Sequence, residues 1–136
     1  MSTTANDIAE ISNLVTLIAH ASDGGDIDTY DATFTDDASV EYPGMEPMKG
    51  KATILATFRG MYDAGFAGPT SSIRHVVSTT AVSVHGDAAT AASYAQIVTL
   101  GGTGPAMLGR YDDEFVRGAD GWRFARRVFV LVAAPS

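Results

Sequence analysis

A histidine in the middle of this chain has the residue type and the surroundings of a general base. His75 lies in a predicted strand, Ser72–Val77, where it shares a face with Ile73 and Val77. An imidazole ordinarily has a pKa of about 6.5, so an inward-facing histidine could take a proton near neutral pH. The alternative is a core histidine whose ring is satisfied by a backbone carbonyl. The pattern alone leaves both interpretations open.

An aspartate at the end of the first predicted helix is the candidate partner of that histidine. Asp23 stands where the helix dipole is negative, which disfavours an acid by about 0.3–1 kcal/mol. One interpretation is that Asp23-Gly-Gly serves only as a turn. The other is that its carboxylate reaches His75, fixes the tautomer and stabilises the imidazolium formed on proton abstraction. Asp26 competes for this role, but a helix-cap position accounts for it more simply.

Two tyrosines and two arginines are the other candidates for contact with a ligand. Tyr111 alternates with charged residues on a predicted strand, so we expect it to point inward and to offer its phenol as a donor. Tyr42 ends a short predicted strand and fits the core and a pocket equally well. Arg126 and Arg127 lie in a strand that is apolar on both faces, so each needs a partner. One should pair with an acid of a neighbouring strand, and the other could bind an anionic group.

The remaining histidines and the glycine-rich segment indicate no cofactor. His20 could face either side of its helix, and we expect His85 to be solvated because a Gly86-Asp87 turn follows it. Neither has a spacing to His75 that indicates a metal site. The segment 101–104 lacks the Lys-Ser/Thr of a phosphate loop. We therefore predict no cofactor and no metal.

Helical periodicity is clearest at the beginning of the chain. Apolar residues at three- and four-residue steps predict a helix from Asp7 to about Ala21, in which Asp7 and Glu10 have the spacing of a capping box. Asp26 is expected to cap a second, shorter helix that includes Phe34 and ends at the following Thr-Asp-Asp. A short strand over 38–42, a turn at Pro-Gly and a third helix over 51–62 are expected next.

The second half of the chain has the pattern of long strands. After Pro69 the residues become β-branched and alternating, with glycine-containing breaks, and this predicts antiparallel strands near 72–85, 88–100, 107–117 and 122–133. Helices first and strands last is an α+β arrangement, in which a curved sheet folds over the helices and leaves a pocket between them. Such a pocket is the expected ligand site.

The composition favours one domain over residues 1–136 without a polyanionic partner. Of 136 residues, 46% are hydrophobic and 18% charged, and the net charge is −7. This acidic balance offers no basic patch, so we predict no nucleic-acid partner. Cysteine is absent, which excludes disulfides and thiolate chemistry. The longest apolar run is far short of the roughly 20 residues that span a bilayer. We therefore expect a cytoplasmic protein without a membrane partner.

Short motifs occur along nearly the whole chain: Asp23-Gly-Gly-Asp26, Phe34-Thr-Asp-Asp-Ala38, Gly50, Arg74-His75, Gly86-Asp87-Ala88, Gly109-Arg-Tyr-Asp-Asp-Glu-Phe115 and Gly121-Trp-Arg-Phe124. In this combination they resemble the SnoaL-like branch of the nuclear transport factor 2-like superfamily. The resemblance implies a curved, mixed sheet wrapped over three N-terminal helices around a cone-shaped pocket. It implies the fold more closely than the reaction, because this superfamily hosts dehydratases, isomerases, aldol cyclases, hydrolases and binding modules.

The resemblance also implies roles for the candidate residues. Asp23 and His75 match the aspartate and histidine used by scytalone dehydratase, bile-acid dehydratases and hexachlorocyclohexane dehydrochlorinase. Tyr42 matches a substrate-orienting tyrosine, and Tyr111 occupies the position of a pocket asparagine. Arg127 lines up with an arginine that assists departure of a leaving group.

These features together predict a cofactor-independent lyase or isomerase, dehydratase-like, that acts on a small apolar, aromatic or polycyclic substrate. The alternatives are a polyketide cyclase that closes a ring by aldol chemistry, and a non-catalytic ligand-binding or assembly domain. Ser22 replaces a tyrosine of scytalone dehydratase, and no second histidine lies near Gln96, so scytalone itself is not the expected substrate. The doubly apolar last strand predicts a homo-oligomer, with a dimer favoured.

Overall fold

The computed structural model describes residues 3–102 and 105–133, where three helices lie against a six-stranded sheet. The elements in chain order are α1 (Thr4–Gly24), α2 (Ile27–Thr33), β1 (Phe34–Glu41), β2 (Met48–Lys49), α3 (Lys51–Asp63), β3 (Ile73–His85), β4 (Ala88–Thr99), β5 (Pro105–Gly118) and β6 (Gly121–Ala133). The predicted α+β class is confirmed. In the part of the chain described, no helix has the length and apolar character needed to cross a membrane.

The sheet is mixed because its first strand joins the last one in parallel. The strand order is β2-β1-β6-β5-β4-β3, in which β3 to β6 form an antiparallel meander and β1 pairs parallel to β6. The inner face of the sheet packs on α1 through a continuous apolar stripe of the helix, Ile11, Leu14, Val15 and Ile18. This packing leaves the helices on one side of the sheet, as predicted.

A bulge in β3 separates the cavity end of the strand from its core end. The register with β4 shifts between Ser78 and Ala81, and Thr79 there has a left-handed φ of 56°. Val82 and Val84, beyond the bulge, pack on the main core, whereas Ile73 before it packs on a smaller cluster that includes Tyr111 and Phe129. Because bulges increase local twist and bend, this one lets a single strand serve both regions.

The second helix is shorter than predicted, and the strand after it begins earlier. Helix α2 ends at Thr33, and Phe34 is the first residue of β1 rather than the last helical turn. The ring of Phe34 stacks on Phe124 of β6 with centroids 4.8 Å apart, and the two residues are partners in the parallel register. This long-range pairing outweighs the local helical pattern. The two-residue strand β2 was not predicted.

Asp7 and Glu10 do not form the predicted capping box, because both carboxylates bind the sheet. The helix begins instead at Thr4 and is capped by Thr3, whose hydroxyl accepts the N–H of Asn6. Asp7 accepts two hydrogen bonds from Arg117 at 2.8 and 3.0 Å and one from the indole of Trp122 at 3.1 Å. Glu10 accepts the backbone N–H of Trp122 at 2.6 Å. These two acids therefore dock α1 onto β5 and β6.

This docking predicts acid sensitivity. The hydrogen bonds from Arg117 and Trp122 lower the pKa of Asp7 below its usual range, and the weaker effect of burial opposes them. A lowered folded-state pKa stabilises the protein above about pH 4, and this contribution is lost as the pH falls further. We expect Asp7→Asn to lower the urea midpoint at neutral pH and to flatten the decline between about pH 5 and pH 3. The exposed Asp63→Asn is the control, and a decline as steep as the wild type's would contradict the assignment.

Candidate active site

An apolar cavity lies between the helices and one end of the sheet. Its volume is about 390 Å³, within the range of small-molecule sites. Most of its wall is aliphatic or aromatic, and the polar groups are one serine hydroxyl, three phenols and one imidazole. The lining residues are Ser22, Tyr42, Pro43, Met45, Phe58, Met61, Tyr62, Phe66, Ala67, Ile73, His75, Ile97, Met107, Tyr111, Phe129 and Leu131.

Asp23 and His75 are in direct contact at the wall of this cavity. His75 Nδ1 lies 2.7 Å from Asp23 Oδ1, and the backbone N–H of His75 donates to both carboxylate oxygens at 3.2 Å. The exposed fractions of the two side chains are 14% for His75 and 23% for Asp23. His75 lines the cavity and Asp23 lies behind it. Because Nδ1 is engaged by the carboxylate, Nε2 is the nitrogen available to a ligand.

The end of α1 aims the carboxylate at β3. Gly25 follows the helix with a left-handed φ of 68°, and its backbone N–H returns to Ala21. Asp26 then caps α2 by accepting the N–H of Thr29 at 3.1 Å. Asp26 is thus a capping residue, as its position suggested, and the turn between the helices leaves Asp23 free to reach across to the strand.

Two tyrosines, Tyr42 and Tyr111, line the cavity beside Phe129. The ring centroids of Tyr42 and Tyr111 lie 5.7 and 5.1 Å from that of Phe129. Burial raises the pKa of both phenols. The Tyr111 hydroxyl raises the pKa of Tyr42 further, whereas the Tyr42 hydroxyl partly offsets the increase for Tyr111. Both therefore stay protonated in the neutral range and can donate hydrogen bonds to a ligand. Tyr42 was expected either in the core or at a pocket, and its side chain does both: it packs against the main core and lines the cavity.

Arg127 does not contact the cavity, contrary to its expected role in substrate binding. Its side chain is buried, and Nε and Nη2 donate to the carboxylate of Asp113 at 2.9 and 3.2 Å. The guanidinium lies over the face of Tyr111, 3.6 Å from the ring centroid. The Tyr111 ring lies between the guanidinium and the cavity, so a ligand in the cavity would contact the phenol and not the cation. Burial opposes the charge of Arg127, but Asp113 and the phenols outweigh it and raise the pKa.

Arg126 does not supply the free cation either. It points to the opposite face of the sheet and donates to Glu114 at 3.1 Å and to Glu41 at 3.0 Å. The expectation that one arginine of this pair would be left for an anionic ligand is therefore wrong. Alternation along β6 sends the two side chains to opposite faces, and acidic residues of β5 lie in register with both.

A second polar group at the cavity wall is not apparent from the sequence. The Ser22 hydroxyl lines the cavity and is hydrogen-bonded to the hydroxyl of the buried Tyr30. Tyr62 lies beside them and donates to the carbonyl of Ala21 at 3.4 Å, while burial raises its pKa to about 12. The available signal was the spacing of Tyr62 four residues after Phe58, which places both on the cavity side of α3.

The other titratable groups of the sequence analysis lie away from the cavity. His20 and His85 are exposed on the surface. Across residues 3–102 and 105–133, no three His, Asp or Glu side chains are grouped so that they could hold a metal ion. The donors at the cavity are thus an imidazole, three phenols and a serine hydroxyl, a set suited to proton transfer and to hydrogen bonding of an oxygen atom.

Solved structures with the same fold include two proposed dehydratases and a protein of unknown function. A protein of unknown function with a cystatin-like fold from Nostoc punctiforme is 25% identical, with 99% of this chain and 98% of that chain covered and a TM-score of 0.84. A proposed dehydratase of the nuclear transport factor 2-like family from Streptomyces avermitilis is 22% identical (97% and 100% covered, TM-score 0.81). A proposed scytalone dehydratase from Novosphingobium aromaticivorans is 18% identical (98% and 91% covered, TM-score 0.79).

The last two similarities establish the fold, whereas the family follows from the sequence itself. No curated protein matches the chain. The model of the SnoaL-like domain matches residues 3–128, nearly the whole sequence. With its three helices, its mixed curved sheet and its cavity at their junction, this chain belongs to the SnoaL-like family.

Proposed function

We propose that this protein is a cofactor-independent lyase or isomerase of the dehydratase type, acting on a small, mostly apolar substrate. The observation that carries the proposal is the 2.7 Å contact between His75 Nδ1 and Asp23 Oδ1 at the wall of an apolar cavity. A carboxylate on one imidazole nitrogen leaves the other as a base directed toward a ligand. Two of the solved structures similar to this chain are proposed dehydratases, which agrees with this class of reaction.

In the proposed reaction, Nε2 of His75 removes a proton from a carbon beside a carbonyl group. Asp23 holds the ring in the Nδ1–H tautomer and stabilises the imidazolium that forms. The electron pair of the broken C–H bond moves toward the carbonyl oxygen, where the hydroxyls of Tyr42 and Tyr111 donate to the developing charge. In a dehydration the pair then forms the new double bond, and the hydroxyl group leaves with a proton returned by the imidazolium.

The cavity supports an aromatic or polycyclic substrate with one or two oxygen functions. Its wall includes Phe58, Met61, Ile97 and Phe129, which favour flat apolar surface, and its volume of about 390 Å³ suits a molecule of a few rings. Among the residues described, no Asp, Glu, Lys or Arg side chain lines the cavity, so the substrate we propose carries no group that needs a counter-ion.

A hydrogen-exchange assay tests the proposal whichever product the reaction forms. Aromatic ketones, terpenoids and steroids that raise the melting temperature at about pH 5 and about pH 8 are incubated with the protein in D₂O. We expect at least one of them to gain deuterium at the carbon beside its carbonyl, or to lose water, in a His75-dependent way. Ligands recovered unchanged would favour a binding domain, and a ring-closed product would favour an aldol cyclase.

Pairing of two copies through the outer face of the sheet is also part of the proposal. Val76, Tyr94 and Val132 are 48%, 40% and 49% exposed on the strands β3, β4 and β6. An apolar face that extends over neighbouring strands is a candidate interface between two copies. They support the dimer predicted from the sequence, and the molar mass in solution measures it directly.

A further inference from the structure

A buried ion pair lies directly behind one of the cavity tyrosines. Arg127 and Asp113 are 5% and 0% exposed at their side chains and form two hydrogen bonds, of 2.9 and 3.2 Å. The guanidinium carbon lies 3.6 Å from the centre of the Tyr111 ring. Tyr111 lines the cavity, and the two charged residues do not. The phenol therefore separates a fixed cation from the ligand.

Stability does not account for this pair. Replacing a buried ion pair by apolar residues of similar volume is often neutral or stabilising, because two charges must be taken out of water. The surroundings are aromatic: Phe124 lies 5.1 Å from the guanidinium carbon and packs on Phe115. Apolar residues would suit this environment, so an effect of the pair on its neighbour is the more economical explanation.

We propose that Arg127, held in place by Asp113, is a positioning residue that strengthens the Tyr111 hydroxyl as a hydrogen-bond donor to an anionic oxygen in the cavity. A cation on the face of an aromatic ring is attracted to its π electrons and stabilises negative charge that spreads into the ring from its oxygen. In the proposed function, this anionic oxygen is the carbonyl oxygen on which charge develops during the reaction. The inference rests on the proposed function for the identity of that oxygen. The effect of Arg127 is measurable on any bound oxyanion.

Charge balance around the phenol supports the same direction. Burial has the largest effect on the pKa of Tyr111 and raises it. The largest effect in the opposite direction comes from the positive charge of Arg127. The carboxylates of Asp113 and Asp23 also raise the pKa, each by less than Arg127 lowers it, and the neighbouring Tyr42 hydroxyl lowers it as well. Among the charged groups around the phenol, Arg127 is therefore the one that makes the buried hydroxyl a stronger hydrogen-bond donor.

The test measures binding of 4-nitrophenolate, whose ionised form is followed by its absorbance. The double variant Asp113→Leu/Arg127→Met removes both charges, uses side chains of similar length and leaves neither charge unpaired. We expect it to weaken binding of the anion about tenfold, because the effect of a desolvated cation on the ring is larger than the opposing effect of the Asp113 carboxylate. In a Tyr111→Phe background the same double change should alter binding less than about twofold, because the hydroxyl through which it acts is gone.

Other variants keep the test decisive. Arg127→Lys keeps a cation beside Asp113 and should weaken binding only about threefold. This variant is measured in place of the double variant if the latter does not fold. Arg126→Met, on the opposite face, should leave binding unchanged. An equal loss with and without the Tyr111 hydroxyl, no loss at all, or no binding of 4-nitrophenolate by the wild type would overturn the inference. Binding that follows the expected pattern in a protein that turns over no substrate would uphold it and reject the proposed function.

Discussion

His75→Gln is expected to lower the rate of proton abstraction by about 10²–10⁴-fold, the range that a positioned general base contributes. Glutamine keeps a polar group of similar size next to Asp23 but cannot take a proton at neutral pH. Because His75 is half-buried at the cavity wall and not in the main core, the variant should stay folded. The rate of deuterium incorporation into a bound ketone measures the effect, and circular dichroism checks the fold.

Asp23→Asn should have an effect in the same range by a different route. The amide of asparagine can donate to Nδ1, which favours the tautomer with the proton on Nε2 and so removes the base from the cavity side. His20→Gln and Asp28→Asn, both exposed, are the matched controls and should leave the rate unchanged. If both active-site variants retained the wild-type rate, the Asp23–His75 pair would have no catalytic role.

Gly109→Ala is expected to destabilise the protein by about 1–3 kcal/mol and to abolish ligand binding, because overpacking forces a neighbour to move. A methyl group at Gly109 would overlap the ring of Phe129, which packs directly on the glycine across the β5–β6 pair. Phe129 is in contact with Tyr42 and Tyr111, so a displaced ring must enter the cavity or push the two phenols apart. Urea unfolding gives the stability, and ligand-induced stabilisation gives the binding.

A second substitution and a control separate this cause from a general intolerance of alanine. Adding Phe129→Leu to Gly109→Ala removes the overlap and should recover part of the lost stability. Gly60→Ala in α3 meets nothing within 4 Å and should raise stability by about 0.5–1 kcal/mol, since alanine is the better helix former. Unchanged stability in Gly109→Ala would show that Phe129 moves without cost and does not shape the cavity.

Local patterns predicted most of the elements that build this site. Strands predicted near 88–100 and 122–133 are found at Ala88–Thr99 and Gly121–Ala133, because alternation and glycine-containing turns are read over a few residues. The third helix, Lys51–Asp63, also agrees within one residue. Local signals gave wrong predictions where a distant contact determines the structure. Phe34, predicted to be helical, pairs with Phe124 in the sheet, and Asp7, predicted to cap α1, binds Arg117.

The residue types and their spacing establish which side chains are available: an imidazole in an apolar strand, an acid at a helix end that disfavours it, and a phenol on an inward face. How these side chains meet depends on the folded arrangement. Asp23 and His75 are 52 residues apart in the chain, and their 2.7 Å contact depends on how α1 packs against β3. The register of β5 and β6 places Asp113 opposite Arg127. The arginine side chain therefore binds Asp113 and does not reach the cavity. Residue types are local properties, whereas contacts between distant strands and helices depend on the packing of the whole chain.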